Sequence, residues 1–79
     1  MLLAISTSGN SINVLKAIKL AKKKKIKSIG FLGFNGGKAK QFLDLPIIIN
    51  SKNVARIQEA HIFLGHFIFE EVENLLLKN

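Results

Sequence analysis

A run of hydroxyl side chains near the N-terminus has the residue types of an anion-binding loop. The four hydroxyls are Ser6, Thr7, Ser8 and Ser11. The apolar run before them predicts a buried strand, and the helical spacing after them predicts a strand-to-helix loop. A helix N-terminus offers unpaired N–H groups and the positive end of the helix dipole, so this loop suits a phosphate. The alternative is that Asn10 or Ser11 only caps the helix, the commonest reason for such residues at a helix start.

Histidine and glutamine side chains at helical spacing form a second candidate group. Residues 54–78 carry apolar side chains three and four apart, which predicts a long helix. Gln58 and His66 lie eight residues apart, or roughly 80° around that helix and about 12 Å along it, so they share one side. His61 falls in line with the apolar stripe and is interpreted as a core histidine. Periodicity alone leaves His66 undecided between a structural and a ligand-binding role.

Composition predicts that the chain does not cover its own apolar surface. Of its 79 residues 48% are hydrophobic, six of them Phe, and a chain this short buries only about 60% of its unfolded surface. We therefore expect other protomers, or another part of a domain, to pack against it. The absence of Cys excludes disulfides and a thiolate zinc site. No apolar run reaches the length of a secretory signal or a membrane span, so a cytoplasmic protein is expected.

The formal charge of +7 is concentrated in a lysine cluster at residues 22–25. These lysines lie where the first predicted helix ends, and cations there complement the negative end of the helix dipole. No aromatic side chains suited to base stacking flank the cluster, and no nucleic-acid-binding motif is present, so nucleic acid is not expected as a partner. A basic surface would instead raise the local concentration of an anionic small substrate.

The order of the predicted elements indicates an α/β fold with a parallel sheet and flanking helices, here a partial βαβαβα unit. Strands are predicted at residues 1–5, 26–32 and 46–49, and helices at residues 11–24, 38–43 and 54–78. A helix that joins two short strands predicts a parallel βαβ unit. A second glycine-rich turn, residues 33–37, follows the second strand. It lies at the carboxyl end of the sheet, where ligands bind, although such glycines are first of all turn formers.

These motifs, in this order, resemble the C-terminal part of phosphoheptose isomerases, which are sedoheptulose 7-phosphate isomerases of the sugar isomerase (SIS) fold. The matching segments are residues 2–11, 13–14 with 16–18, 33–38 and 55–59, together with His61 and His66. The resemblance implies a three-layer α/β/α domain that assembles as a homotetramer with sites between subunits. It also implies conversion of sedoheptulose 7-phosphate to D-glycero-D-manno-heptose 7-phosphate, towards ADP-heptose for lipopolysaccharide or related surface glycans.

Carried over by position, the resemblance implies roles for individual residues. Ser6, Thr7, Ser8 and Ser11 match the family's phosphate loop. Gln58 and His66 match positions that contact substrate and, in members that contain zinc, ligate Zn²⁺. His66 also matches the histidine proposed as an acid or base in the ene-diol step. The usual Asp before the paired glycines is Asn35 here, which removes that carboxylate.

The resemblance covers residues 1–79 as the C-terminal part of one SIS domain. The family's N-terminal half, with a second serine contact to the phosphate and a His and a Glu that complete the site, is not matched. We therefore expect the isolated chain to be inactive, as a fragment or a split reading frame would be. Two alternatives remain open: a sugar-phosphate sensor, and a non-catalytic SIS protein that associates with the bacterial replication initiator. Proteins of that second kind typically carry a basic residue at the position of Ser8 and lack a histidine at the position of His66. The presence of Ser8 and His66 here therefore favours the enzyme.

Overall fold

The computed structural model describes residues 1–77, in which three strands alternate with helical segments. In chain order the elements are β1 (Leu2–Ser6), α1 (Ile12–Lys23), β2 (Ser28–Gly33), a 3₁₀ turn (Ala39–Phe42), β3 (Leu45–Ile49) and α2 (Val54–Leu77). Every predicted element is present, with its ends displaced by no more than about two residues, as expected for helix and strand boundaries. The predicted end of the last helix at Lys78 lies outside the described residues.

The three strands form one parallel sheet in the order β1-β2-β3. Leu2 of β1 is paired with Ser28, and Ile29 of β2 is paired with Leu45. The central strand β2 is the most buried, with Phe31 and Leu32 almost inaccessible. Because it hydrogen-bonds on both sides and has a layer on each face, its continuous apolar sequence is the pattern expected of a buried parallel strand. The predicted parallel sheet is confirmed.

One face of the sheet packs against α1 and the 3₁₀ turn. The buried residues of this layer are Ala4, Ile18, Leu32, Ala39 and Leu43. Asp44 links the starts of β2 and β3 at the edge of the layer. Its carboxylate accepts a hydrogen bond from the Ser28 amide at 2.8 Å, and its own amide donates to the Ser28 hydroxyl at 3.2 Å. This reciprocal pair gives Asp44 a structural role.

The other face of the sheet packs against α2, which completes three α/β/α layers. Ile57 and His61 are the buried residues of α2, and the His61 ring lies 5.8 Å from the Phe31 ring, centroid to centroid. The middle of α2 is apolar nearly all round, yet within residues 1–77 only its sheet-facing stripe is covered. Phe63 and Phe67 stay 68% and 54% exposed. Despite this apolar surface, no helix within residues 1–77 is long and apolar enough to cross a membrane.

The first helix ends in a Schellman motif with a lysine at the position that glycine usually occupies. The Ile26 amide donates to the Ala21 carbonyl at 2.8 Å, and the Lys25 amide donates to the Lys22 carbonyl at 3.1 Å. Lys25 therefore adopts a left-handed conformation, with φ of 59°, which costs a residue with a Cβ roughly 1–2 kcal/mol.

Lys25→Gly is therefore expected to raise the free energy of unfolding by about 1 kcal/mol, because relief of the left-handed strain exceeds the added entropy of the unfolded chain. Urea denaturation measures the change. Lys24→Gly is the matched control, since Lys24 has a φ of −87° and glycine there should instead destabilise by roughly 0.5–1 kcal/mol. Equal effects of the two substitutions would contradict the strain.

Candidate functional site

Two glycine-rich loops meet at the carboxyl ends of β1 and β2. The Ala39 amide donates to the Gly9 carbonyl, and the Lys38 amide donates to Asn10 Oδ1, each at 2.9 Å. A Cβ on Gly33 would lie 2.6 Å from the Thr7 carbonyl oxygen. These contacts hold the loop that follows β1 against the loop that follows β2.

The approach of the two loops requires glycine at specific positions. Gly9 has a φ of 71°, and a Cβ there would overlap the carbonyl oxygen of Gly36. Gly37 has a φ of 56°, and its Cβ would lie 2.7 Å from the Gly9 carbonyl carbon. Both a left-handed backbone and close backbone packing therefore exclude other residues. The glycines of the second turn therefore do more than reverse the chain, since they also allow the hydroxyl loop to pack closely against it.

The start of α1 lacks a side-chain cap among the described residues. Ser11 occupies the N-cap position with an extended backbone, but its hydroxyl makes no capping hydrogen bond. The Asn10 side chain accepts a hydrogen bond from the second loop. The interpretation of Asn10 or Ser11 as a simple helix cap is therefore not supported. Within residues 1–77 no side chain caps the amides of the first turn, and the exposed Ser11 hydroxyl lies beside them.

Two of the loop hydroxyls stabilise the loop itself. Ser6 is only 7% exposed, and its Oγ accepts a hydrogen bond from the Gly9 amide at 3.1 Å. Ser8 is exposed, and its Oγ accepts from the Asn10 amide at 3.1 Å. Each hydroxyl keeps its own hydrogen available as a donor. The assignment of both residues to a phosphate site stays a prediction.

A cavity of about 420 Å³ lies between the end of β1 and the first turns of α2. Its lining residues are Ile5, Thr7, Gln58, His61 and Ile62. Thr7 and Gln58, both candidate site residues, lie far apart in the sequence. The fold brings them to the same cavity. The cavity lies outside the carboxyl end of β1, which is where ligands bind in open parallel sheets.

His61 is a buried core residue that also lines this cavity. It is 4% exposed, and its Nε2 lies 2.8 Å from the Leu32 carbonyl oxygen. Within residues 1–77 its Nδ1 has no hydrogen-bond partner. The predicted burial of His61 is confirmed, but sequence reasoning missed its position in the cavity. The available signal was its spacing of three residues from Gln58, which makes the two side chains neighbours on a helix.

His66 lies on the exposed surface of α2 and does not line the cavity. Gln58, Ile62 and His66 follow one another at spacings of four, so they form one exposed stripe along the helix. Within residues 1–77 no group of three or more His, Cys, Asp or Glu is placed to hold a metal ion. The Gln58 amide oxygen and the His66 imidazole are donors that zinc accepts, but a zinc site has about four ligands. These two residues fit as part of a set that other residues complete.

Asn35 has a structural partner in the second loop. Its Oδ1 accepts a hydrogen bond from the Gly37 amide at 3.0 Å, which forms an Asx-type turn. Lys40 adds a bond from its Nζ to the Asn35 carbonyl at 3.1 Å. The amide that stands in place of the family's carboxylate therefore holds the turn.

No family model matches this chain. Curated relatives do match it over nearly its whole length. A phosphoheptose isomerase from Clostridium acetobutylicum is 49% identical over 76 residues, which is 96% of this chain and 39% of the relative. A phosphoheptose isomerase from Aneurinibacillus thermoaerophilus is 44% identical over 79 residues, which is 100% of this chain and 40% of the relative. The chain is a homologue of part of the phosphoheptose isomerases.

Solved structures of phosphoheptose isomerases share its fold. The enzyme from Francisella tularensis superposes with a TM-score of 0.87 at 31% identity, over 92% of this chain and 42% of that one. The enzyme from Neisseria gonorrhoeae gives a TM-score of 0.77 at 42% identity, over 82% of this chain and 38% of that one. The predicted α/β fold of the phosphoheptose isomerases is confirmed. The chain spans about 40% of the length of the curated relatives it matches.

Proposed function

We propose that this chain forms the phosphate loop and one wall of the active site of an isomerase that acts on sedoheptulose 7-phosphate. The observation that carries the proposal is the cavity that Thr7 and Gln58 line together, next to the start of α1. Its supports are the phosphoheptose isomerase homology and the hydroxyls that follow β1. The product would be D-glycero-D-manno-heptose 7-phosphate, a precursor of ADP-heptose and of surface glycans.

The phosphate of the substrate would bind at the start of α1. The uncapped first-turn amides and the dipole favour an anion there. The hydroxyls of Ser8 and Ser11 are exposed beside them, while Thr7 extends the donor set into the cavity. Buried Ser6 would act mainly by stabilising the loop, and its hydroxyl hydrogen is not used in the bond with the Gly9 amide. The net charge of +7 would attract the dianionic substrate.

The isomerisation moves a proton between two neighbouring carbons through an ene-diol. His66 would take the proton from one carbon and return it to the other, since a neutral imidazole accepts and donates protons near neutral pH. Gln58 would bind the sugar from the cavity wall, where its amide can accept from a hydroxyl. The exposure of His66 leaves its ring accessible to a substrate that extends along the stripe from Gln58.

Zinc would be held by Gln58 and His66 together with ligands from outside the described residues. When bound, the metal would supply Lewis-acid polarisation of the sugar carbonyl. The contribution of this chain would be to place an amide oxygen and an imidazole on the same side of α2.

Activity would require the part of the relatives' domain that this chain does not match. The proposed enzyme would be a cytoplasmic homo-oligomer, a tetramer, or an association of this chain with that remaining part. Two features support a need for partners. The first is the unpaired outer edge of β1 within the described sheet. The second is the exposed apolar face of α2. Both are surfaces that isolated proteins tend to cover.

A phosphate titration tests the loop. Inorganic phosphate or sedoheptulose 7-phosphate is expected to shift the amide NMR signals of residues 8–13, and Ser11→Ala should weaken the response by removing one donor beside the helix start. Ser51→Ala, in the loop before α2, is the matched control and should leave the response unchanged. Equally strong binding of unphosphorylated sedoheptulose would rule out a phosphate cradle.

Sedimentation tests the expected association of the chain. We expect the weight-average mass to rise with protein concentration, because Phe63 and Phe67 stack on each other yet remain more than half exposed. The double variant Phe63→Ser, Phe67→Ser should associate less. The exposed Ile12 lies on α1, away from that face, so Ile12→Ser should leave association unchanged. A compact monomer at all concentrations would contradict the expectation.

A further inference from the structure

The hydrogen-bonding state of His61 is set by its contact with β2. A carbonyl oxygen only accepts, so the 2.8 Å contact between Nε2 and the Leu32 oxygen requires the hydrogen to be on Nε2. In the neutral ring Nδ1 is then a bare acceptor. Nδ1 is buried and has no partner within residues 1–77. A buried acceptor without a donor costs free energy, so a nearby side chain that donates to Nδ1 would stabilise the protein.

Gln58 is a donor within helical reach of this nitrogen. It lies three residues before His61 on α2, a spacing that puts their Cβ atoms about 5–6 Å apart. Helical side chains lean towards the N-terminus, so the His61 side chain leans over the turn that carries Gln58. Both side chains line the same cavity. Arg56 is another donor in the first turns of α2, but it is paired with Glu59 at 2.9 Å. It therefore does not compete with Gln58 for Nδ1.

A hydrogen bond between these two side chains would also fix the orientation of the amide. An amide presents a donor NH₂ on one side and an acceptor oxygen on the other. Only the NH₂ can pair with a bare Nδ1, so Oε1 must then point away from His61. The Gln58 side chain can rotate into this orientation because the residue is exposed.

We propose that His61 is a positioning residue that orients the Gln58 amide so that its oxygen faces the contents of the cavity. The Leu32 carbonyl fixes the histidine tautomer, the tautomer makes Nδ1 an acceptor, and Nδ1 binds the Gln58 NH₂. Oε1 then faces a sugar hydroxyl or a cation in the cavity. Hydrogen bonds behind a ligating side chain commonly fix its orientation in this way. This inference rests on the proposed function, because it gives that site its oriented acceptor.

NMR of the 79-residue chain tests the orientation without a ligand. Long-range proton–nitrogen correlations of His61 are expected to show a protonated Nε2 and an unprotonated Nδ1 in the neutral ring. The side-chain NH₂ of Gln58 should exchange with water more slowly than that of Gln41, an exposed glutamine on the 3₁₀ turn. A hydrogen on Nδ1, or equal exchange of the two glutamines, would overturn the proposal.

Two substitutions of His61 separate positioning from stability. His61→Gln places an amide near the Nε2 position and loses the Nδ1 acceptor, whereas His61→Asn places an amide oxygen near Nδ1 and loses the bond to Leu32. We expect His61→Gln to weaken binding of sedoheptulose 7-phosphate roughly tenfold, the effect of about one hydrogen bond. His61→Asn should retain most of that affinity while it lowers the melting temperature. Unchanged sugar-phosphate affinity in His61→Gln would overturn the proposal.

Inorganic phosphate and a double variant complete the test. Phosphate affinity should be the same in all variants, because phosphate reports on the loop alone. Gln58→Met should weaken sugar-phosphate binding as His61→Gln does, and the double variant should be no worse than either single one. Additive losses would overturn the positioning role. If the unsubstituted chain binds neither phosphate nor sugar phosphate, the proposed function fails, and the NMR measurements still decide the orientation of Gln58.

Discussion

His66→Asn is expected to lower isomerase turnover by about 10²- to 10⁴-fold, the usual contribution of a general acid or base. The enzyme for this measurement would be this chain combined with the part of the Clostridium acetobutylicum isomerase that it does not match. The physical reason is that an asparagine amide neither accepts nor donates a proton at neutral pH. Loss of a metal ligand at the same position would enlarge the deficit. Turnover of sedoheptulose 7-phosphate measures the effect.

The control for this variant is Glu71→Gln, which lies about 140° around α2 from His66. Glu71 is exposed, and the substitution removes a charge on a different side of the helix from the proposed site, so turnover should stay near normal. His66→Asn should leave thermal unfolding almost unchanged because His66 is also exposed. His61→Asn should lower the melting temperature, since it removes a buried hydrogen bond. Near-normal turnover in His66→Asn would contradict the catalytic assignment of His66 and favour the two non-catalytic alternatives, the sugar-phosphate sensor and the SIS interaction protein.

Gly9→Ala is expected to lower the free energy of unfolding by about 2–5 kcal/mol. The left-handed backbone at a φ of 71° costs an alanine roughly 1–2 kcal/mol. Its Cβ would also overlap the Gly36 carbonyl oxygen, and overpacking of this kind costs roughly a further 1–3 kcal/mol. Backbone cannot yield as a flexible side chain can, so the two loops must separate. Urea denaturation measures the loss.

Gly65→Ala is the matched control for that substitution. Gly65 lies within α2, and the nearest heavy atom to an added Cβ is Phe31 Cε2 at an ordinary contact distance of 4.0 Å. Alanine there should stabilise the protein by about 0.5–1 kcal/mol, because helical glycine is entropically costly. Destabilisation by Gly65→Ala, or tolerance of Gly9→Ala, would contradict the packing of the loops. Gly9→Ala should also abolish phosphate binding, since the loop would lose its conformation.

The sequence by itself determined the type and order of every element in residues 1–77. Strand and helix periodicities are local, so apolar β2 and amphipathic α1 are readable from neighbouring residues alone. The same local logic placed the hydroxyl loop at a strand-to-helix junction and His61 on the buried stripe of α2. Parallel pairing followed from the helix between two short strands. The hydroxyl loop made Thr7 a candidate, whereas the role of Gln58 came from the resemblance to phosphoheptose isomerases.

Only the tertiary structure decided which of these residues meet. The cavity joins Thr7 to Gln58 and His61 across more than fifty residues of chain, and a contact of this kind depends on how α2 lies across the sheet, which no local pattern encodes. The use of Asn10 as an acceptor for the Lys38 amide depends in the same way on the meeting of two loops. His61 obtains a fixed tautomer from Leu32, a residue 29 positions earlier. Long-range packing therefore assigned the hydrogen-bond partners, whereas local periodicity had assigned only the elements that carry them.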